Sequence, residues 1–360
     1  MTEYLPLLTG KKVAIVVNQT SVIDNTHLLD TLLSLNIQVK IVFVPEHGFR
    51  GMVSAGARVA DRVDEKTGTP IISLYGSNKK PKESDLEGIE VVIFDIQDVG
   101  VRFYTYSSTL HYVMEACAEN HIPLIVLDRP NPNGFYVDGP VLKREFRSFV
   151  GMHPVPIVHG LTLGEYATMI NEEKWLDNGI VCDLKVVRMA GYDHNSLYVL
   201  PINPSPNLRN MLAIYLYPSL CLFEGTIMSV GRGTEKPFQV FGHPRNYKGK
   251  DCFVPVSRPG AMYPLYIGEV CCGMDLSTTN ISVLTSRKAL NLEWIIDTYW
   301  AYPNKDEFFN DYFNKLAGNE ILKKQIMGAI SEEDIRRSWA RGLDEYMKMR
   351  SKYLLYDDFE

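Results

Sequence analysis

The 360-residue chain is long enough to bury a large core, and with 46% hydrophobic and 22% charged residues it has the composition of a soluble globular protein. Its 20 Tyr, 15 Phe and 4 Trp are spread along the whole length, which excludes long disordered stretches. A formal net charge of −6 without a basic stripe argues against a nucleic-acid partner, and no apolar run reaches the roughly 18–20 residues that span a bilayer.

In chain order, Val13–Val17 reads as a buried strand, followed by a helix from Asp24 to Leu35 with Asp24 or Asn25 as its cap. Further strands are predicted at Val39–Val44, Ile71–Leu74, Val91–Phe94 and Leu124–Leu127, with a helix from Tyr104 to Glu119 before the last of these. Near-continuous Val/Ile/Leu strands alternating with helices predict a Rossmann-like parallel sheet covered on both faces. Beyond Asn133-Gly134 the pattern loosens. Thr162 and Glu165 form a capping box for a helix to Trp175, a strand follows at Leu184–Met189, and a Pro-rich turn spans Asn203–Asn207. A helix covers Asn210–Leu220, and short apolar runs broken by Gly and Pro occupy 238–284. Helices are then expected at Ser286–Trp300, Asp306–Leu316 and Ser331–Tyr353. The expected class is α/β, with residues 1–140 forming the Rossmann-like domain. Residues 141–360 would form a second, smaller α+β lobe with C-terminal helices that completes a cleft.

The six cysteines, Cys117, Cys182, Cys221, Cys252, Cys271 and Cys272, contain no CxxC pair and are expected to be buried small hydrophobes. The cluster Lys79, Lys80 and Lys82 reads as a solvated turn. No GxGxxG follows the first strand, no GxxxxGK[ST] occurs, and no GxSxG elbow is present. The sheet is therefore expected to be a scaffold that needs no nucleotide cofactor.

Ligands of open parallel sheets bind beyond the carboxyl ends of the strands. Four strand ends here deliver polar groups: Asn18 and Gln19; Glu46, His47 and Arg50; Asp95, Gln97, Asp98 and Arg102; Asp128, Arg129 and Asn131. Carboxylates and amides converging from four strands suit acid/base work on a polyol. In an extended Asp95–Asp98 run, 95 and 97 share a face that 98 does not, so one aspartate is expected to face the cleft and the other to tie the loop, through Arg102. Tyr104, Tyr106 and Phe49 are candidates for stacking on a sugar ring or for the core. His47 with Asp95 and Asp98 is an alternative divalent-metal set.

The segments around these ends, Pro45-Glu46-His47-Gly48-Phe49-Arg50-Gly51, Phe94 to Tyr106 and Leu127 to Gly134, resemble the NamZ-type exo-β-N-acetylmuramidases, as do His159–Glu165, Pro204–Leu208, Leu222–Thr226 and Ser229–Thr234. The matches run in order from about Lys11 to Gly242. The resemblance implies a glycoside hydrolase that releases N-acetylmuramic acid from non-reducing ends of peptidoglycan fragments, in an envelope or secreted location, although the chain does not open with a signal peptide. Such chemistry needs a carboxylic acid for the leaving oxygen and a second group at the oxocarbenium-like centre. Glu46 is the first choice for the acid, with Glu224 and Asp98 competing for the second role. An aspartate that orients the substrate's own 2-acetamido group is the variant. The lactyl carboxylate of the muramic sugar calls for a cation, and Arg232 is favoured over Arg102 and Arg50. His47, Arg50, Asp95, Gln97, Arg102, Tyr104, Asn131, Asn207, Arg232 and Thr234 complete the expected substrate-binding set, with no metal or cofactor. A metal-assisted deacetylase or amidase and a non-catalytic amino-sugar receptor are the competing readings.

Overall fold

The computed structural model describes residues 1–46, 48–49, 62–245 and 249–359. The strands in chain order are β1 (Lys12–Val17), the short hairpin β2 (Val22–Ile23) and β3 (Thr26–His27), β4 (Gln38–Val44), β5 (Arg62–Val63), β6 (Pro70–Ser73), β7 (Val91–Asp95), β8 (Leu124–Leu127), β9 (Leu184–Val187), β10 (Val240–His243), β11 (Asp251–Phe253) and β12 (Cys271–Asp275). Seven of them form one sheet in the order β5-β6-β4-β1-β7-β8-β9. Every pairing in it is parallel except that of the edge strand β5. The seventh strand comes from beyond residue 140.

The alternation of side chains along β1 and β4 explains why both faces of this sheet are dry. Val13, Ile15 and Val17 pack with Val39, Val42 and the helix Leu28–Ser34. Ala14 and Val16 pack with Ile41, Phe43 and the helices Tyr106–Glu119 and Leu163–Glu172. Each face buries continuous apolar surface, the largest stabilising contribution available to a chain of this size. An antiparallel sheet, β10-β12-β11, lies in the C-terminal part.

Several predicted boundaries hold. The Thr162/Glu165 capping box is formed, Asn210 caps Met211–Leu220 by accepting from Ala213 N, and Ser331 caps Glu332–Arg350. Others differ for local reasons. Asp24 has φ +53° and belongs to the β2–β3 turn, so the following helix starts at Leu28 with His27 as its cap. The helix expected over 286–300 is two helices, Ile281–Arg287 and Glu293–Ala301, broken where Lys288 turns left-handed at φ +46°. That expected over 306–316 is likewise two short pieces, Lys305–Phe308 and Phe313–Ala317. Cys252 and Cys272, directly opposite in the β11–β12 register, are joined as a disulfide and are not buried, which corrects their reading as buried small hydrophobes. The other four cysteines are free and buried as expected.

Candidate active site

The carboxyl ends of β1, β4 and β7 meet where the strand order reverses, and the Pro-rich turn docks over them. Gln19 Nε2 donates to the carbonyls of Asn203 and Pro204 at 3.1 Å each. Tyr106 Oη donates to Pro204 O at 3.2 Å while accepting from Asn18 Nδ2 at 3.1 Å. This clamp brings Ser205 and Leu208 to a cavity of about 820 Å³, in the upper part of the ~300–1,000 Å³ range of small-molecule sites.

Glu46, immediately after β4, lines this cavity, and Thr105 Oγ1 donates to its Oε2 at 3.1 Å. Glu224 lines it from the turn Cys221–Gly225 that follows the helix Met211–Leu220. Arg232 Nε donates to Glu224 Oε1 at 2.6 Å, and Cys221 Sγ donates to Oε2 at 3.5 Å. The Arg232 guanidinium lies 4.9 Å from the centroid of the Phe238 ring, a cation–π contact that holds it in place. Burial works to lower the Arg232 pKa, but the Glu224 charge outweighs it and the guanidinium is pushed above its ordinary value. The loop carrying Arg232 depends on Gly233, at φ +82°, where an added Cβ would stand 2.6 Å from Val256 O and from Pro264.

Tyr104 and Tyr106 line the cavity in edge-to-face contact at 4.8 Å, and Tyr217 packs on Tyr104 at 5.9 Å. Burial first, and then nearby acids including Asp98 and Glu46, raise the pKa of both Tyr104 and Tyr106, so their hydroxyls stay protonated. Phe49 is core instead, packed on His27 at 4.7 Å.

Most of the other expected residues hold the site's frame and are not part of its lining. Asp95 is clasped by Arg129 through Nε at 2.6 Å and Nη2 at 3.0 Å, so its loop tie is Arg129 and not Arg102. Arg102 is buried and donates to the carbonyls of Pro140, Val155 and Leu316 at 2.8–2.9 Å, with burial lowering its pKa to about 9. Gln97 Nε2 donates to Asp98 O and Pro130 O. Asn131 donates to Leu161 O and lies so close to Gly100, at φ +75°, that a Cβ there would overlap its amide. Asn207 donates to Gly260 O, and Thr234 Oγ1 to Gly231 O. Asp98 is buried outside the cavity lining. Its Oδ1 accepts from Gly100 N at 2.7 Å and its Oδ2 has no hydrogen-bond partner among the described residues, while burial pushes its pKa up to about 7 against the backbone N–H of Gly100 and Val99. His47 and Arg50 lie outside the described residues, and with them one arm of the metal set.

Sequence reasoning missed Tyr75, Lys79, Phe149, Tyr312 and Lys315, all of which line the cavity. Tyr75 and Lys79 follow β6, the one central strand end left out of the strand-end reading. Lys79 is not part of a solvated turn: its Nζ sits 4.7 Å from the Phe149 centroid, whereas Lys80 pairs with Glu119 at 2.6 Å. Tyr312 and Lys315 arrive from the C-terminal helices through Asn310, whose Nδ2 donates to Glu224 O and Thr226 O at 3.2 and 3.1 Å. The Tyr312 hydroxyl is raised in pKa by burial and then by Cys221, Glu224, Glu46 and Tyr75.

The model described as the N-terminal part of exo-β-N-acetylmuramidase NamZ matches residues 13–212, and that of its C-terminal part matches residues 215–356. The chain is 38% identical over 377 aligned residues to the peptidoglycan β-N-acetylmuramidase NamZ of Bacillus subtilis, covering 99% of this chain and 89% of that protein. Crystal structures of two DUF1343 family proteins from Bacteroides fragilis superpose with TM-scores of 0.93 (45% identity) and 0.81 (28% identity), each covering 99% of this chain and 97% of the other. With both halves matched and a relative aligned along nearly its whole length, this chain belongs to the NamZ exo-β-N-acetylmuramidase family.

Proposed function

We propose that this chain is an exo-acting glycoside hydrolase that releases N-acetylmuramic acid from the non-reducing ends of peptidoglycan fragments. The observation that carries the reading is that Glu46 and Glu224, brought by unrelated segments, line one cavity walled by Tyr104, Tyr106, Tyr217 and Phe149. Glu46 is the general acid. The hydrogen bond that Thr105 Oγ1 donates to its Oε2 orients the carboxyl for proton delivery to the glycosidic oxygen. Glu224, kept in place by Arg232, supplies the negative charge for the oxocarbenium-like centre. The aromatic wall offers faces for the apolar side of a pyranose.

The working place is an oxidising one, periplasmic or extracellular, where the product would feed cell-wall turnover. The Cys252–Cys272 disulfide supports this, since such bonds persist mainly outside the reducing cytosol. Incubation with a chromogenic β-N-acetylmuramide and its glucosamine analogue, with and without a chelator, tests the activity. Release from the muramide that is indifferent to the chelator is the expected result, and no release from either sugar would sink the reading.

A further inference from the structure

The described lining of the cavity holds two carboxylates, Glu46 and Glu224, and three cations, Lys79, Arg232 and Lys315. Arg232 and Glu224 satisfy each other at 2.6 Å. The two lysines are different. Neither ammonium joins an ion pair or a side-chain hydrogen bond among the described residues, although Lys80 and Lys143 on the same molecule find Glu119 and Glu320 at 2.6 and 3.0 Å. Lys79 rests over the Phe149 ring at 4.7 Å, a contact made through the aromatic face that leaves its N–H donors available to a ligand. Lys79 and Lys315 are remote in sequence, one beyond β6 and one in the helix Phe313–Ala317, yet both line one cavity. Lys79 is half-buried and Lys315 exposed, so water solvates both ammoniums until an anion enters the cavity that they line.

We infer that Lys79 and Lys315 form the recognition site for the carboxylate of an acidic sugar, and thereby set the preference for N-acetylmuramic acid over N-acetylglucosamine. The inference rests on the proposed muramidase reading and deepens it. Arg232, the sequence's candidate for this task, already has its charge matched by Glu224, whereas neither lysine is paired with an acid among the described residues. An ammonium is a point charge on a flexible stem, suited to a carboxylate that itself swings on an ether arm.

The test compares kcat/KM for a chromogenic β-N-acetylmuramide, its lactyl methyl ester and the β-N-acetylglucosaminide. The enzymes are the wild type, Lys79→Gln, Lys315→Gln and the double variant, and dissociation constants for the two free sugars are measured alongside. Each single variant is expected to lower the muramide-to-ester ratio about tenfold, mainly through KM, and the double variant about a hundredfold. Added salt should weaken wild-type binding of the muramic sugar and leave the double variant nearly flat. Unchanged ratios, an equal loss on all three substrates, or a wild type indifferent to esterification would each overturn the inference while leaving muramidase activity standing. A wild type that cleaves and binds no muramic sugar would remove the proposed function, and this inference with it.

Discussion

The guanidinium of Arg232 is held between two groups at once: its Nε reaches Glu224 at 2.6 Å, and its Cζ lies 4.9 Å from the Phe238 centroid. A cation fixed in this way fixes its carboxylate too, and a fixed charge is worth more to a transition state than a mobile one. Replacing Arg232 by Met should therefore lower kcat about ten- to a hundredfold, from the loss of one charge-assisted hydrogen bond. Glu224→Gln should cost a similar or larger factor. Because the two act as one unit, the double variant should be little worse than the poorer single, and a double-mutant cycle on kcat checks this. Fully additive losses would mean that the pair does not act together.

Glu46→Gln preserves the acceptor for the Thr105 hydroxyl but cannot deliver a proton. Turnover is expected to fall at least about a hundredfold, the usual scale of general-acid catalysis, with product binding retained. Steady-state kinetics paired with calorimetric titration of N-acetylmuramic acid measures both sides. Near-normal turnover would take Glu46 out of the acid role.

Asp98 makes stability depend on pH. Burial lifts its folded pKa from 3.8 to about 7. Below pH 3.8 the group is protonated in both states and contributes nothing. Between the two values the unfolded chain has released the proton and the folded one has kept it, so stability falls as pH rises and levels off above about 7. The cost on that plateau is about 4–5 kcal/mol at ~1.4 kcal/mol per unit. Asp98→Asn should flatten this slope and be more stable than wild type at pH 8, though not at pH 4. Denaturant titrations at the two pH values decide it.

Arg102 ties three carbonyls, of Pro140, Val155 and Leu316, from segments far apart in the chain. Arg102→Ala leaves them buried without their donor. A loss of at least about 3 kcal/mol is expected, visible as a lower Tm. Arg102 is not itself part of the cavity lining, but it holds the carbonyl of Leu316 beside Lys315, so the protein that remains folded should also lose some substrate affinity, read as a raised KM.

Reduction of Cys252–Cys272 opens a 20-residue closure between β11 and β12. A stability loss of about 3 kcal/mol is expected on the chain-entropy scale, read as a Tm shift with dithiothreitol that Cys252→Ser abolishes.

The sequence by itself determined the scaffold. Val13–Val17, Val91–Phe94 and Leu124–Leu127 are apolar on both faces, and such runs are stable only in a sheet covered on both sides. The caps at Thr162, Asn210 and Ser331 were legible because capping is local chemistry within one turn. Glu46 was legible as a cavity residue because strand direction alone puts it at the sheet's carboxyl edge, and the family words Phe94–Tyr106 and Leu222–Thr226 carried the rest of the resemblance. What only the tertiary structure decided is which polar group meets which. Asp95 looked as available as Glu46 until Arg129 closed on it from the next strand end. Lys315 could not be placed, because its approach is set by Asn310 bonding beside Glu224 across 86 residues. Local periodicity records whether a side chain is buried. It does not record the partner, because hydrogen bonds and ion pairs are made between segments whose separation the chain fixes only once it has packed.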